Sequence, residues 1–325
     1  MVSIRAVAHA SALDVGELLH WQQLISSGAG YTRITIPQRR RRPREVLRPS
    51  VGLDRVLKQL NIGLARVSNY SPPHAVHGFI RGRDIRTNAA QHLDKDIVLR
   101  VDLRDFFGSI DAYRLTDTLT GFGFDQNAAS AVLGVTIVNG SLAQGFSTSP
   151  LLSNMTFADA DLALMKLAAD VGVSYSRYVD DLTFSGSFGE VDDRLLLRIT
   201  DVLESAGWIV NSNKTRFMRR GKAQYVTGLY VGDAVGPHIP RSMKRLLRRE
   251  VYFASKFGID NARLRSPTPM EHDRLNGWVH YAAHADPHFG QNLRDAWATV
   301  DSRRPASRSS AHRVQILDEI DFPES

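Results

Sequence analysis

Three aspartates occupy positions where the fold could bring them together. Asp102 ends an apolar run that begins at residue 97, and Asp180 and Asp181 interrupt a second apolar segment. An acid at the end of a buried strand is costly in free energy unless it is paired or bound to a cation. If the two segments form neighbouring strands, the three carboxylates converge, and Mg²⁺ relieves their mutual repulsion. The alternative is that these acids are surface charges on turns.

A carboxylate site of this kind can support phosphoryl transfer. Two divalent ions stabilise both the attacking and the leaving oxygen of an in-line displacement, so the reaction needs no protein nucleophile. The chain contains no cysteine, which excludes disulfides and thiolate metal sites. Any catalytic metal must therefore be bound by carboxylates or histidines.

The composition is that of a basic globular protein. The 325 residues carry a net charge of +7 and are 43% hydrophobic, which supports a sizeable core and argues against global disorder. The sequence pI of about 9.8 favours a polyanionic partner. The sequence has neither a signal-peptide pattern at its start nor an apolar segment long enough to span a bilayer, so we expect a cytoplasmic protein.

Hydrophobic periodicity predicts the elements that would position the three acids. Helices are predicted over residues 9–27, 53–67 and 192–206 and dominate beyond residue 240, and strands are predicted over 31–37, 97–103 and 224–231. A β-hairpin is predicted over residues 175–184, with Asp180 and Asp181 at or near its turn. The acids are therefore expected at the ends of strands.

Two further segments have identifiable boundaries. Ser149 as N-cap and Pro150 at the first helical position predict the start of a helix whose apolar positions recur as far as Met165. The segment from Ser302 onward is rich in serine, arginine and proline and is expected to be loosely ordered.

Basic residues are concentrated in two places. An arginine-rich turn over residues 38–44 lies between two strand-like pieces and suggests a basic hairpin. A second group has helical spacing, which places its members on one face of a helix: Arg241, Lys244, Arg245, Arg248 and Arg249. Such a face could follow the phosphate backbone of a nucleic-acid duplex, or it could be merely solvated. Binding to a membrane surface is disfavoured, because the helix has no aromatic anchor before Tyr252 and Phe253, and we expect no membrane partner.

Four segments in a consistent order resemble motifs of reverse transcriptases, and specifically of the bacterial retron type. They are Val101–Phe107, Gln144–Asn154, the Tyr-x-Asp-Asp box Tyr178–Asp181, and Gly207–Asn211 followed by Lys214. Two shorter segments resemble retron signatures, namely Asn88–His92, which follows His77–Phe79, and Val226–Gly228. The resemblance covers roughly residues 31–281.

The resemblance implies roles for residues around the three aspartates. Asp102, Asp180 and Asp181, with the backbone of Leu103, would bind two Mg²⁺ ions, and Mn²⁺ is also possible. Phe107 would be the steric gate that excludes a nucleotide 2′-hydroxyl. The nucleotide would also contact Asp105, Gln144, Gly145 and Lys214, with Lys214 near the triphosphate and glycine permitting close backbone approach.

The fingers motif departs from the family pattern, because Gln38 stands where the family has a lysine. Arg44 is therefore the better candidate to bind the triphosphate, and any of Arg39 to Arg42 could supply a second contact. By the same resemblance the RNA would contact Asn88, His92, Val226, Thr227 and Gly228 together with the basic helix face of residues 241–249. A local hydrogen bond is the alternative role for His92.

The implied fold is an α+β right-hand polymerase with an antiparallel palm sheet. Fingers and palm would span residues 1–235. A helical thumb that binds RNA or a duplex would span residues 236–305, and a flexible tail would span residues 306–325.

The implied reaction is DNA synthesis from deoxynucleotides on a cognate structured RNA, primed from an RNA 2′-hydroxyl to give a branched RNA–DNA hybrid. Antiphage defence with a separately encoded effector protein is implied as well. Another bacterial reverse transcriptase, such as a group II intron type, and a non-catalytic RNA-binding scaffold remain alternatives.

Overall fold

A computed structural model describes residues 1–37, 43–259 and 270–301 of the chain. Its helices are α1 (Ile4–Ala10), α2 (Val15–Ser26), α3 (Val51–Val67), α4 (Ile85–Ala89), α5 (Ala112–Gly121), α6 (Gln126–Thr136), α7 (Ser149–Thr156), α8 (Ala158–Val171), α9 (Asp193–Ser205), α10 (Arg241–Phe257), α11 (His272–Ala285) and α12 (Pro287–Asp301). Its strands are β1 (Tyr31–Ile36), β2 (Arg44–Pro49), β3 (Ile97–Asp102), β4 (Ile137–Val138), β5 (Ser141–Leu142), β6 (Ser174–Tyr178), β7 (Asp181–Gly186), β8 (Arg216–Arg219), β9 (Tyr225–Val226) and β10 (Leu229–Tyr230). This composition confirms the predicted α+β class.

A four-stranded antiparallel sheet lies at the centre of the fold. Its strands follow the order β6-β7-β3-β8, and each neighbouring pair is antiparallel. The predicted strand before Asp102 and the predicted 175–184 hairpin are thus confirmed and lie side by side. Hairpins β1–β2, β4–β5 and β9–β10 lie outside this sheet.

The central strand β3 is buried on both faces. Leu99 and Val101 belong to the larger hydrophobic cluster, which includes residues of α1–α3 and α5–α9, whereas Val98 belongs to a second cluster with residues of α10–α12. Successive side chains of a strand point to opposite faces, so one apolar strand can join both clusters. A buried strand of this kind holds the aspartate at its end in a fixed place.

Two long helices predicted from periodicity are divided in the structure. The one predicted over 9–27 becomes α1 and α2, because Ala12 adopts a positive φ of 51° and Asp14 caps a new helix through a bond from the Gly16 amide. The one predicted from Ser149 to Met165 breaks at Phe157 into α7 and α8. Thr148, not Ser149, holds the N-cap position of α7, and the Ser149 hydroxyl instead donates to the Ala143 carbonyl.

The strand predicted over residues 224–231 is a tight hairpin instead. Val226 ends β9 and Leu229 begins β10, and the two residues between them, Thr227 and Gly228, have φ values of 47° and 80°. Two successive positive φ values are typical of the turns that close two-residue hairpins. Apolar residues on both sides of this turn are what made the two short strands look continuous.

No helix among the described residues has the length and apolar content needed to cross a bilayer. The arginines of residues 39–42, Gln38 and the segment from Ser302 onward lie outside the described residues.

Candidate active site

Strand register brings the three aspartates to one end of the central sheet. Asp102, the last residue of β3, stands directly opposite Asp181, the first residue of β7. The Leu103 amide donates to the carbonyl of Asp180 at 3.1 Å, which brings the turn of the β6–β7 hairpin to the same point. Neighbouring strands lie roughly 4.8 Å apart, so all three carboxylates belong to one site.

Cationic and amide side chains bind two of these carboxylates directly. Lys214 Nζ lies 2.7 and 3.0 Å from the two carboxylate oxygens of Asp102, and Asn211 Nδ2 donates to Asp102 Oδ1 at 3.2 Å. Arg100 Nε donates to Asp181 Oδ1 at 2.8 Å. Lys214 thus lies directly beside the catalytic candidate Asp102.

Burial perturbs the two acids of the hairpin. Loss of water raises the pKa of Asp181 to about 6, although the neighbouring Arg100 acts in the opposite direction. The pKa of Asp180 is raised by burial and by the charge of Asp102, with Lys214 and Arg44 opposing the rise. Desolvated carboxylates that repel one another are stabilised by a hard divalent cation, and their oxygen atoms are the ligands such cations prefer.

The donor set therefore fits Mg²⁺, but its members do not form a ready ligand cluster. Within residues 1–37, 43–259 and 270–301, no group of three or more histidine, aspartate or glutamate side chains is close enough together to hold a metal ion. Arg100 and Lys214 balance part of the negative charge in this arrangement.

Arg44 and Gln144, which were predicted to contact the nucleotide, lie together beside the acids. Arg44 Nε donates to Gln144 Oε1 at 3.0 Å, and the Leu47 amide of β2 donates to the Gln144 carbonyl at 2.7 Å. Gly145 has a φ of +105°, and a Cβ added there would come within 2.4 Å of the Leu47 carbonyl oxygen. Glycine is thus required for the 144–145 loop to pack against β2.

The two phenylalanines after Asp102 have different environments. Phe106 is buried and packs against Phe157 and Trp208 at ring-centroid distances of 5.8 and 5.2 Å. Phe107 is only partly buried and meets Phe106 edge-on at 5.4 Å. Asp105 is exposed in the preceding turn, with a positive φ of 47°. Phe107 is therefore the ring available to a ligand, whereas Phe106 is part of the core.

The segments predicted to bind RNA are largely internal. His92 is completely buried, and its two ring nitrogens lie 2.7 Å from the hydroxyls of Ser185 and Ser176. Asn88 and Val226 are also buried, and the Thr227 hydroxyl donates to the Ile85 carbonyl. Burial corrects the prediction of a direct RNA contact by His92, which instead joins the short helical turn after α4 to the central sheet.

The buried imidazole of His92 makes stability depend on pH. Burial lowers the pKa of His92 to about 3, so the folded protein keeps it neutral while the unfolded chain binds a proton below about 6.5. The contribution of neutral His92 to the free energy of unfolding is therefore fully present above pH 6.5 and decreases as the pH falls towards 3.

His92→Gln should reduce the slope of unfolding free energy against pH by up to about 1.4 kcal/mol per pH unit between pH 6 and 4. Urea denaturation at several pH values measures this slope. The exposed-histidine control His9→Gln should keep the wild-type slope, and an unchanged slope in His92→Gln would contradict this account.

Two of the five cations on the basic face of α10 form ion pairs with acids, and the other three are exposed. Lys244 forms an ion pair with Asp286 at 2.6 Å, and Arg249 Nε lies 3.0 Å from Glu250 Oε1. Arg241, Arg245 and Arg248 are exposed. Packing of α10 against α12 accounts for the difference, because Asp286 precedes α12 and fixes Lys244. Three of the five predicted cations thus form the exposed face.

A buried network behind the β6–β7 turn that carries Asp180 was not predicted from the sequence. Arg177 and Asp161 are both fully buried and form a two-pronged ion pair, with Nε–Oδ1 at 2.8 Å and Nη2–Oδ2 at 2.5 Å. Arg177 Nη1 also donates to the Val179 carbonyl at 2.9 Å and to Asn154 Oδ1. The Asn154 amide donates in turn to the Gly78 carbonyl. The network therefore holds the residue that immediately precedes Asp180.

Val179 needs such support because of its backbone conformation. It has a φ of +62°, which is unusual and strained for a β-branched residue. A Cβ on Gly78 would lie 2.5 Å from the Val179 nitrogen, so the 77–79 loop packs directly on the turn. The sequence signal for the network was the charge of Arg177 inside an otherwise buried strand, which requires a buried counter-ion.

Comparison with known proteins agrees with this geometry. The family model described as reverse transcriptase (RNA-dependent DNA polymerase) matches residues 42–243. The chain is 32% identical over 289 residues to the retron Mx162 reverse transcriptase of Myxococcus xanthus, covering 78% of this chain and 59% of that protein. It is 31% identical over 297 residues to the retron Mx65 reverse transcriptase of the same organism, covering 83% and 69% respectively.

Among solved structures, the chain is similar to a foamy viral protease–reverse transcriptase in complex with double-stranded DNA. The TM-score is 0.48 at 16% identity, and the match covers 89% of this chain and 44% of that chain. The reverse transcriptase model matches a segment that includes all three aspartates, and the sequence is 31% identical to a retron reverse transcriptase. Both findings agree with the order of motifs in the sequence. The chain belongs to the reverse transcriptases and, within them, to the bacterial retron type.

Proposed function

We propose that the protein is an RNA-directed DNA polymerase that extends a primer on RNA with deoxynucleoside triphosphates. The observation that carries this proposal is the strand register that places Asp102 opposite Asp181, with Asp180 in the adjoining turn. Carboxylates from two neighbouring strands form a binding site for the two cations of an in-line phosphoryl transfer. The family match over residues 42–243 supports the same chemistry.

Asp102, Asp180 and Asp181 would hold the two Mg²⁺ ions, with the backbone of Leu103 as an additional ligand. When bound, the ions would stabilise the negative charge of the attacking and leaving oxygens. Arg100 and Lys214 already neutralise part of the carboxylate charge. Lys214 would turn towards the triphosphate once its bond to Asp102 is replaced by a cation.

The nucleotide would lie between the acids and the β1–β2 hairpin. Arg44, already bonded to Gln144 and near enough to lower the pKa of Asp180, would bind the triphosphate. Gly145 lets the backbone of its loop pack on β2 beside this site. Phe107 would lie under the sugar, with Asp105 in the same turn.

The steric gate can be tested through sugar selectivity. Removing the partly exposed ring in Phe107→Ala should raise the ratio of ribonucleotide to deoxynucleotide kcat/KM at least about ten-fold, because nothing would then exclude the 2′-hydroxyl. Phe107→Tyr keeps the ring and should retain the wild-type ratio in the same single-nucleotide incorporation assay. An unchanged ratio in Phe107→Ala, with deoxynucleotide incorporation intact, would remove Phe107 from this role.

The template we propose is a cognate structured non-coding RNA, with priming from a 2′-hydroxyl of that RNA. The relatives it resembles are named retron reverse transcriptases, which supports a branched RNA–DNA product, namely multicopy single-stranded DNA, and a place in antiphage defence beside a separate effector. Residues 1–235 would act as fingers and palm and residues 236–305 as thumb. The exposed cations Arg241, Arg245 and Arg248 would contact the RNA or the duplex.

Nucleic acid that co-purifies with the protein tests this proposal. Treatment with ribonuclease should digest most of the RNA and leave an intact DNA strand that is still joined to a ribonucleotide through a 2′–5′ bond. Sequencing should identify a small RNA encoded beside the gene and DNA complementary to part of it. DNA with no covalent link to RNA would favour another class of reverse transcriptase, and RNA with no DNA under any priming condition would favour a binding scaffold.

A further inference from the structure

We infer that a cationic, tyrosine-lined cavity between the β9–β10 hairpin and the start of α10 binds an unpaired nucleotide of an RNA. The cavity has a volume of about 420 Å³, within the range of sites for small ligands. Its lining includes three cationic side chains and three rings, namely Lys222, Arg241 and Arg245 together with Tyr225, Tyr230 and His238. This inference rests on the proposed function and assigns one part of its RNA contact.

The charge of the cavity favours an anion. Lys222, Arg241 and Arg245 are exposed, and none of them has a carboxylate partner among the described residues. The 17-residue helix α10 also begins at this cavity, and its N-cap residue, Pro240, has no side chain able to bind the first free amides. The positive end of the helix therefore adds to the three cations.

The rings of the cavity favour a planar ligand. Tyr230 stands 5.2 Å from His238 at an interplanar angle of 36°, and 5.9 Å from Tyr225 at 70°. Gly232 makes room for this arrangement, because a Cβ there would lie 2.5 Å from the Tyr230 hydroxyl. Aromatic faces stack on exposed bases regardless of sequence, and cations beside them bind the phosphate.

The cavity is separate from the nucleotide site at the aspartates. Its residues 221–225 follow β8, whose Arg219 pairs with Ile97, the end of β3 opposite to Asp102. Five residue steps of β3 separate the two ends, which is roughly 17 Å at about 3.3 Å per residue. The ligand of this cavity is therefore not the incoming deoxynucleotide.

Continuity with the exposed face of α10 indicates that the nucleotide belongs to a longer strand. Arg241 and Arg245 line the cavity, and Arg248 continues the same face one turn farther along the helix. A duplex backbone followed by these cations would need no aromatic cavity, whereas an RNA bulge or loop presents both a base and flanking phosphates.

The test uses two RNA hairpins that differ in one nucleotide. One hairpin carries a single bulged 2-aminopurine, and the other lacks only that nucleotide. Both are titrated without deoxynucleotides at about 0.15 M salt, so that non-specific phosphate contacts are comparable between the two hairpins. Wild-type protein should bind the bulged hairpin at least about five-fold more tightly and change its 2-aminopurine fluorescence. Equal affinity for the two hairpins would overturn the inference.

Variants distinguish binding of a nucleotide in the cavity from binding of RNA to a general basic surface. Tyr230→Leu should abolish the preference for the bulged hairpin, and Tyr230→Phe, which keeps the ring, should retain it. Lys222→Gln and Arg245→Gln change exposed side chains, where substitutions have little effect on stability, and each should weaken binding of the bulged hairpin two-fold or more. Arg198→Gln, an exposed cation on α9, should change neither affinity.

Two further outcomes are decisive. A preference that persists in folded Tyr230→Leu protein would overturn the inference, as would binding of free adenosine 5′-monophosphate with no preference between the hairpins. Primer extension is measured in a separate assay on an unstructured RNA template. Its failure in wild-type protein would count against the proposed polymerase function alone, because the hairpin titration requires no synthesis.

Discussion

Asp180→Asn should reduce deoxynucleotide incorporation on a primed RNA template at least about a thousand-fold while leaving the protein folded. Cation stabilisation of a phosphoryl-transfer transition state amounts to several kcal/mol, and each 1.36 kcal/mol corresponds to a ten-fold change in rate. Asparagine keeps the shape of the side chain but removes the charge that would attract Mg²⁺. Single-turnover extension at saturating nucleotide gives the rate directly.

Stability should move in the opposite direction to activity in this variant. Burial and the charge of Asp102 raise the pKa of Asp180, so ionised Asp180 destabilises the fold. The melting temperature of Asp180→Asn should therefore equal or exceed that of the wild type. Asp170→Asn, which neutralises an exposed acid on α8, is the matched control and should extend the primer normally. Full activity in Asp180→Asn would defeat the metal assignment.

The second large effect concerns the buried network behind the β6–β7 turn that carries Asp180. Arg177→Met should lower the free energy of unfolding by about 3–5 kcal/mol, because it leaves the buried carboxylate of Asp161 without its counter-ion. It should also reduce polymerisation, since Arg177 Nη1 no longer holds the strained Val179 carbonyl next to Asp180. Chemical denaturation and primer extension measure the two losses separately.

A triple variant distinguishes positioning from simple loss of stability. Arg177→Met, Asp161→Leu and Tyr175→Phe together remove both charges and the Tyr175 hydroxyl that donates to Asp161. Replacing a buried ion pair by apolar residues is often neutral or stabilising, so most of the stability should return. Incorporation should nevertheless stay at least about ten-fold below wild type, with kcat affected more than KM. Recovery of both properties would show that the network acts only on stability.

The placement of the three acids could be predicted because it depends on local sequence. An apolar run ending in Asp102 and a short hairpin centred on Asp180 and Asp181 each indicate their own strand ends, and antiparallel pairing then brings those ends together. The motif order added which strands were neighbours. The two-residue turn at Thr227 and Gly228 was missed because the apolar runs on either side of it were read as one strand.

The partners of the site residues were not predictable in the same way. Nothing local to Arg177 indicates Asp161, sixteen positions earlier on α8, as its partner, nor does the sequence around His92 indicate the two serines that bind it. Contacts between distant elements depend on how those elements pack. The basic face of α10 shows the same dependence on packing. Its five cations looked equivalent in the sequence, but in the structure Lys244 and Arg249 pair with acids and the other three are exposed arginines.

The measurement that tests the central claim most directly is templated extension by the purified protein on an RNA of defined sequence. A labelled DNA primer, Mg²⁺ and all four deoxynucleotides should yield DNA whose sequence is complementary to the RNA, and omission of one deoxynucleotide should stop synthesis at the first template position that requires it. Tight RNA binding with no extension, or extension whose sequence ignores the template, would contradict the account.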